Sequence, residues 1–213
     1  DTSTEQTVNI PAKMSVTELK RRFGEDELTV NVMREEQQYR RPNFEQEKRL
    51  TGAEYGIAMH SVMQHLNLRG DLSMRGISDQ IANMVERKIL SPEQAQSIRR
   101  KNIATFFESD FGRRLLRAEK VYRELPFGFL VASSEINELL AAKALPGVRD
   151  RIFIQGIIDV LFRDVGGLIL LDYKTDRIAD SEVVRQKYQL QLELYAKAVE
   201  SILHERVVEK HIF

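Results

Sequence analysis

The sequence predicts an α+β domain: a mixed β-sheet core flanked by helices, with a helical N-terminal elaboration. Three observations carry this. The first half of the chain sets apolar residues at helical spacing behind strong N-cap signals. The second half changes period, and "RIFIQGIIDVLFRD" and "GLILLDYKT" read as strands of a hairpin turning through Asp164-Val165-Gly166-Gly167. A long amphipathic segment, "EVVRQKYQLQLELYAKAVESILHE", then leads into a last β run, "VVEKHIF". Strands followed by a helix and another strand, around an antiparallel hairpin, call for a mixed sheet.

The elements follow in order. "DTSTEQTVNIPAK" has the composition of a linker, so residues 1–14 are set aside and one domain spans 15–213. Residues 15–117 form its mainly helical part and 118–213 its sheet core. The final run stops in mid-pattern, which suggests a fragment of a longer chain. Ser15 with Glu18 is a capping box opening "SVTELKRRF". "EEQQYRRPNFEQEKRL" is a polar loop. Thr51 with Glu54 is a second box, before a helix whose apolar face carries Ile57, Met59, Val62, Met63 and Leu66. Ser78 is read as the cap of "QIANMVERKIL". Ser91-Pro92-Glu93 places a cap, a first-turn proline and an acid at the positive end of a helix that carries "SIRRKNIATFFES". A short helix with "FGRRLLRAE" follows. "EKVYRELPFGFLVA" contains a strand, and "SEINELLAAKALPGVRD" is a connection. Gly156 marks a bend or a close backbone approach.

Composition bounds function loosely. At 213 residues and 42% apolar residues the chain can bury one sizeable core. The 32 basic and 32 acidic side chains cancel, so there is no general pull toward a polyanion, and any such partner needs a local patch. The absence of cysteine excludes disulfides, thiolate metal sites and iron–sulfur clusters. No apolar run approaches the roughly 20 residues of a membrane span. These features suit an intracellular soluble domain.

The hairpin carries chemistry that a buried sheet does not need. Asp159 interrupts its first strand, where Asp is disfavoured, and the second ends Asp172-Tyr173-Lys174. Two converging carboxylates repel and raise each other's pKa. A hard divalent cation relieves the conflict through oxygen ligands. Lys174 lies two residues after Asp172, so in a strand both leave one face. An ammonium there can orient a water and stabilise charge on a phosphorane-like transition state.

"GIID", twelve residues, then "DYKT" resembles the D…(D/E)-X-K signature of the restriction-endonuclease-like, or PD-(D/E)XK, nucleases. "LTGAEYGIAMHSVMQHL", "VYRELPF" and "QLQLELYA" add three motifs in the order found in the RecB-type branch, and the string is similar to the nuclease domains of bacterial AddA-type helicase–nuclease subunits. The resemblance covers nearly the whole chain. It implies a restriction-endonuclease-like core and metal-dependent DNA phosphodiester hydrolysis during double-strand-break processing. The implied ion is Mg²⁺, with Mn²⁺ substituting and Ca²⁺ binding without comparable turnover. His60, Asp159, Asp172 and the Tyr173 carbonyl would ligate it. Lys174 would activate or position water. Gln191 and Tyr195, one turn apart, would reach the site or the scissile strand, and Glu124 would stand behind the ligands or hold a metal-bound water. Thr175 and Asp176 continue the string. The implied partners are DNA delivered as a single strand, helicase domains N-terminal to Asp1 and an AddB-like second subunit, in the bacterial cytoplasm at the nucleoid, with no membrane.

Residues 84–125 hold ten Lys/Arg against six acids, a patch able to track phosphates or simply a solvated helical face. No G-x-x-x-x-G-K-[ST] occurs, so the chain has no ATP site of its own. Two other readings stay open: an inactive nuclease fold serving as a DNA-binding or scaffolding module, and a hydrolase of small phosphoesters. Metal-dependent nicking separates the first, and competition by oligonucleotide rather than nucleoside monophosphate separates the second.

Overall fold

A computed structural model of the chain describes residues 13–16, 50–132, 134–136, 151–174 and 182–213, without the side chains of 182–187. In chain order the elements are β1 (Lys13–Ser15), α1 (Gly52–His65), α2 (Met74–Glu86), α3 (Pro92–Ser97), α4 (Arg100–Glu108), α5 (Asp110–Arg117), β2 (Val121–Ala132), β3 (Arg151–Asp164), β4 (Gly167–Asp172), α6 (Glu182–Leu203) and β5 (Val207–Ile212). The mixed sheet with flanking helices is the α+β architecture expected.

The described residues belong to two compact units. One takes its residues from Asp1–Pro42, Pro126–Ile157 and Ala179–Glu205. Here β1 pairs in parallel with the start of β3, Lys13 opposite Phe153 and Ser15 opposite Gln155. Met14 is 1% exposed. Lys13 and Met14 are therefore strand, not the end of a linker: the burial of one methionine outweighs the polar composition around it. Ser15 closes this strand, and the helix expected after it lies outside the described residues. α6 buries Leu192, Leu194, Ala198 and Val199. Gly156 does mark a close approach, since a Cβ there would stand 2.8 Å from the Phe127 ring.

The other unit takes Asn43–Leu125, Ile158–Ile178 and Arg206–Phe213. The end of β3 pairs antiparallel with β4, Val160 opposite Leu171 and Asp164 opposite Gly167. The two-residue turn between them works because Gly166 takes φ +100°, which a side chain would oppose. β4 pairs in parallel with β5, Asp172 opposite Ile212. Alternate residues Val160 and Phe162, with Ile169, Leu171 and Tyr173, join a core built from α1, α2, α4 and α5. Each fully buried side chain of the class of Phe162 or Ile81 contributes about 1.5–3 kcal/mol.

Local signals set the helix starts. In α1 the Thr51 hydroxyl accepts from the Glu54 amide at 3.2 Å and the Glu54 carboxylate accepts from the Thr51 amide at 2.8 Å. α2 begins a turn earlier than expected. Ser73, not Ser78, is its cap, accepting from the Gly76 amide. Ile77 is fully buried, so the apolar face already exists before Ser78, whose hydroxyl donates to the Met74 carbonyl inside the helix. Ser91 caps α3 as expected, in a box with Gln94. The continuous helix expected from there is two helices. Ile98 is extended (ψ 124°) and buried, and the Arg100 guanidinium donates to the Ala95 and Ile98 carbonyls, holding the chain end of α3 open.

Candidate active site

The site is assembled in the second unit from three elements. α1 supplies His60, β2 supplies Glu124 and β3 supplies Asp159. His60 Nδ1 lies 3.3 Å from Glu124 Oε1 and 3.4 Å from Asp159 Oδ1. One ligand atom from each residue falls within 4.8 Å of the others. Asp159 is 6% exposed. Its second oxygen, Oδ2, accepts from the Tyr173 amide at 2.6 Å. The His60 and Tyr173 rings meet edge to face, 5.9 Å apart. The middle residue of Asp172-Tyr173-Lys174 is thereby tied to two of the three cluster residues.

The strand end itself holds the other pair. The Asp172 carboxylate, buried, forms an ion pair with the Lys174 ammonium. The ladder to β5 continues past the formal end of β4. The Lys174 amide donates to the Phe213 carbonyl at 2.7 Å, and the Phe213 amide donates to the Asp172 carbonyl at 3.0 Å. Those two bonds fix the backbone under both side chains.

Electrostatics follow from this crowding. Hydrogen bonding to Asp159 and then to Glu124 pushes His60 up to about 10, against burial, which opposes its charge. The two carboxylates thus hold a cation between them even when the only one present is a proton on imidazole. Burial, reinforced by Asp159, pushes the Tyr173 phenol well above its ordinary value, so it stays neutral. One imidazole nitrogen and carboxylate oxygens within a few ångströms are a donor set suited to a divalent metal. Proton and metal would compete for the same place.

Arg123, expected in a phosphate-tracking patch, is a structural residue. Its guanidinium donates to the Met63 and Leu66 carbonyls at 3.0 and 2.6 Å, closing the C-terminus of α1 where the helix dipole favours a cation. This anchors β2 against the helix that carries His60. Glu124 follows directly, with φ +50°, a left-handed conformation uncommon for a residue with a Cβ. No sequence signal marks that conformation. Others of the patch are also engaged: Arg114 with Asp164 and Glu209, Arg113 with Asp110, and Arg100 with the Ala95 and Ile98 carbonyls at the end of α3.

Of the expected site residues, His60, Glu124 and Asp159 come together, Tyr173 binds Asp159, and Asp172 binds Lys174. Glu124 reaches His60 directly, closer than the supporting place expected for it. Gln191 and Tyr195 lie in the other unit. They share one face of α6, and the Gln191 amide donates to the Tyr195 hydroxyl at 2.8 Å. Tyr195 also meets the Phe127 ring edge to face at 5.3 Å. Thr175 and Asp176 lie outside the described residues.

Comparison with known proteins gives the family. The chain is 43% identical over 98% of its length to an ATP-dependent helicase/nuclease subunit of Thermoanaerobacter sp. (strain X514). It is 44% identical over 95% to the protein so named in Pelotomaculum thermopropionicum, and 37% over 98% to that of Bacillus cereus (strain ATCC 10987 / NRS 248). It spans only 16–18% of the length of these relatives. The sequence model of the PD-(D/E)XK nuclease superfamily matches residues 32–211. That span takes in His60, Glu124, Asp159 and the Asp172–Lys174 pair, and with it the chain belongs to the PD-(D/E)XK nuclease superfamily.

Proposed function

We propose that the chain hydrolyses phosphodiester bonds of DNA, as the nuclease module of a helicase–nuclease that processes double-strand breaks. The observation that carries this is the convergence of His60, Glu124 and Asp159 beside the strand end that pairs Asp172 with Lys174. Burying the Asp159 and Asp172 carboxylates costs desolvation that a purely structural sheet avoids, and here one meets an imidazole and the other an ammonium. The name of the relatives, helicase/nuclease, supports the wider setting.

Mg²⁺ is the proposed ion, with Mn²⁺ as substitute and Ca²⁺ as a binder without comparable turnover. His60, Asp159, Asp172 and the Tyr173 carbonyl would hold it, and Glu124 joins them as ligand or as acceptor for a bound water. When bound, it supplies Lewis-acid polarisation of the phosphate and a water of lowered pKa. The Lys174 ammonium orients the attacking water and offsets charge growing on the phosphate oxygens. Tyr173 holds Asp159 through its amide and shields the cluster with its buried ring. Gln191 and Tyr195 are assigned to positioning the scissile strand. The proposed partners are single-stranded DNA, helicase domains in the same protein and an AddB-like second protein, in the cytoplasm at the nucleoid. Among the described residues no helix is long and apolar enough to cross a membrane.

The test is cleavage of linear DNA by wild type and His60→Ala with Mg²⁺, Mn²⁺, Ca²⁺ or after exhaustive chelation. Cleavage with Mg²⁺ and Mn²⁺ only, lost in the variant, is expected. Activity that survives chelation ends the metal-hydrolase reading. Binding without cleavage in any ion would favour an inactive DNA-binding module.

A further inference from the structure

Lys174 faces more than its partner Asp172. A cavity of about 430 Å³ opens against it, bounded by Tyr55, Met59 and Met63 of α1 and by Arg99 and Asn102 at the start of α4. Its size falls in the range of small-ligand pockets. Its walls are divided. The two methionines and the Tyr55 ring offer an apolar, polarisable surface on which a planar ring can stack. Arg99 and Asn102 offer donors. Neither side chain, nor the Tyr55 hydroxyl, makes a hydrogen bond or ion pair among the described residues. This sets Arg99 apart from neighbouring Arg100, Arg113, Arg114 and Arg123, all of which are engaged within the protein. An unengaged guanidinium, a carboxamide and an aromatic face around one cavity match the parts of a single nucleotide: phosphate, sugar edge and base.

We propose that this cavity is a positioning subsite for one unpaired nucleotide next to the scissile phosphate. Arg99 binds that nucleotide's phosphate, Asn102 its sugar or base edge, and Tyr55 stacks on the base. The proposal rests on the nuclease reading of Lys174. Because Lys174 belongs to both cavity and strand end, a nucleotide seated here sets the adjacent phosphate against the ammonium. A base inside the cavity cannot also be stacked in a duplex, so the subsite selects a strand that is already open. Arg99, Asn102 and Tyr55 act through substrate placement and do not touch the reacting atoms.

The experiment measures kcat and KM of the 213-residue chain on a single-stranded oligonucleotide, for wild type, Arg99→Ala, Arg99→Lys, Tyr55→Ala and Lys174→Ala. Arg99→Ala should raise KM roughly tenfold with kcat held within about twofold, and Arg99→Lys should recover part of the loss. The slope of log affinity against log salt should fall by about 0.7, one single-strand phosphate, in Arg99→Ala. Substrates with an abasic position on either side of the cut should bind wild type more weakly at one of the two positions, and Tyr55→Ala should not feel that loss. Unchanged melting of Arg99→Ala accompanies these results, since the residue is exposed and its side chain makes no hydrogen bond or ion pair among the described residues. An unchanged KM and salt slope in Arg99→Ala, with Lys174→Ala inactive, overturns the subsite and leaves the nuclease reading standing. A Lys174→Ala protein that cleaves at the wild-type rate overturns the nuclease reading, and the subsite falls with it.

Discussion

Arg123 and Glu124 are neighbours in one strand, yet both reach the same helix: Arg123 caps the end of α1 and Glu124 meets His60 in its middle. Consecutive residues of a regular strand leave from opposite faces. The left-handed φ of +50° at Glu124 breaks that alternation. The local strain is of order 1–3 kcal/mol and is held in place by the Arg123 cap on one side and the histidine on the other.

That strain is measurable by comparing two variants that both lack the carboxylate. Glu124→Gly relieves the left-handed backbone and Glu124→Ala does not. The glycine variant should be more stable by about 1 kcal/mol, a melting difference of about 2–4 °C, even though glycine is the more flexible residue when unfolded. An alanine variant that melts at the same temperature or higher would show that the backbone there carries no strain. Both variants should lose most cleavage.

Asp172→Ala and Lys174→Ala should each abolish cleavage while leaving the fold intact, but their stabilities should differ. The Asp172 side chain is 3% exposed and that of Lys174 16%. Removing Lys174 leaves a deeply buried carboxylate without its ammonium, a cost of about 3 kcal/mol. Removing Asp172 leaves an ammonium on a flexible stem that can turn toward water. Thermal melting without metal should therefore place Lys174→Ala below Asp172→Ala. The reverse order would contradict the pairing. An Asp172→Ala protein that still cuts at the wild-type rate would overturn the site.

Stability should fall in acid for a reason remote from the cluster. Arg114 binds Glu209 at 2.6 Å and Asp164 at 2.6 Å, and His211 adds a bond to Glu209. Arg114 first, then His211, hold Glu209 down to about 2, and Arg114 lowers Asp164 as well. A depressed carboxyl contributes stability that is whole above its unfolded pKa of 4.5 and is lost as pH falls toward about 2. Exposure of about a third of these side chains limits the gain to about 0.5–1 kcal/mol. The melting gap between wild type and Glu209→Gln should narrow as pH falls from about 5 and close toward about 2. A gap independent of pH would exclude the linkage.

Much of this was legible in the residues. The Thr51 and Ser91 caps, the Gly-Gly turn and the β-rich hairpin each rest on local chemistry that a single stretch of sequence contains. Asp159 stands out because Asp is disfavoured inside a strand, Asp172 and Lys174 because their spacing puts both on one face, and His60 only through the resemblance of the stretch around it. What escaped was nonlocal. Met14 is in a strand only because β3 lies beside it. The break at Ile98 depends on a core that pulls one residue inward. Arg123 looks like any surface arginine until the end of α1 is set against it, and the φ of Glu124 has no signature in its neighbours.

The same nonlocal contacts change what can be expected of DNA binding. Of the ten Lys/Arg between residues 84 and 125, Arg100, Arg113, Arg114 and Arg123 are occupied by partners within the protein. The chain as a whole carries no net charge. Few phosphates can then be neutralised at once, and at about −0.7 in log–log slope per single-strand phosphate the affinity is low and fades as salt rises. A motor that feeds the strand into the site would replace affinity with effective concentration. Tethering to such a motor should raise the cutting rate at limiting DNA far more than at saturating DNA. Titration of the 213-residue chain with a single-stranded oligonucleotide at two salt concentrations checks the premise: weak, salt-sensitive binding is expected. Tight binding indifferent to salt would mean that a gripping surface exists beyond the unengaged cations of this patch.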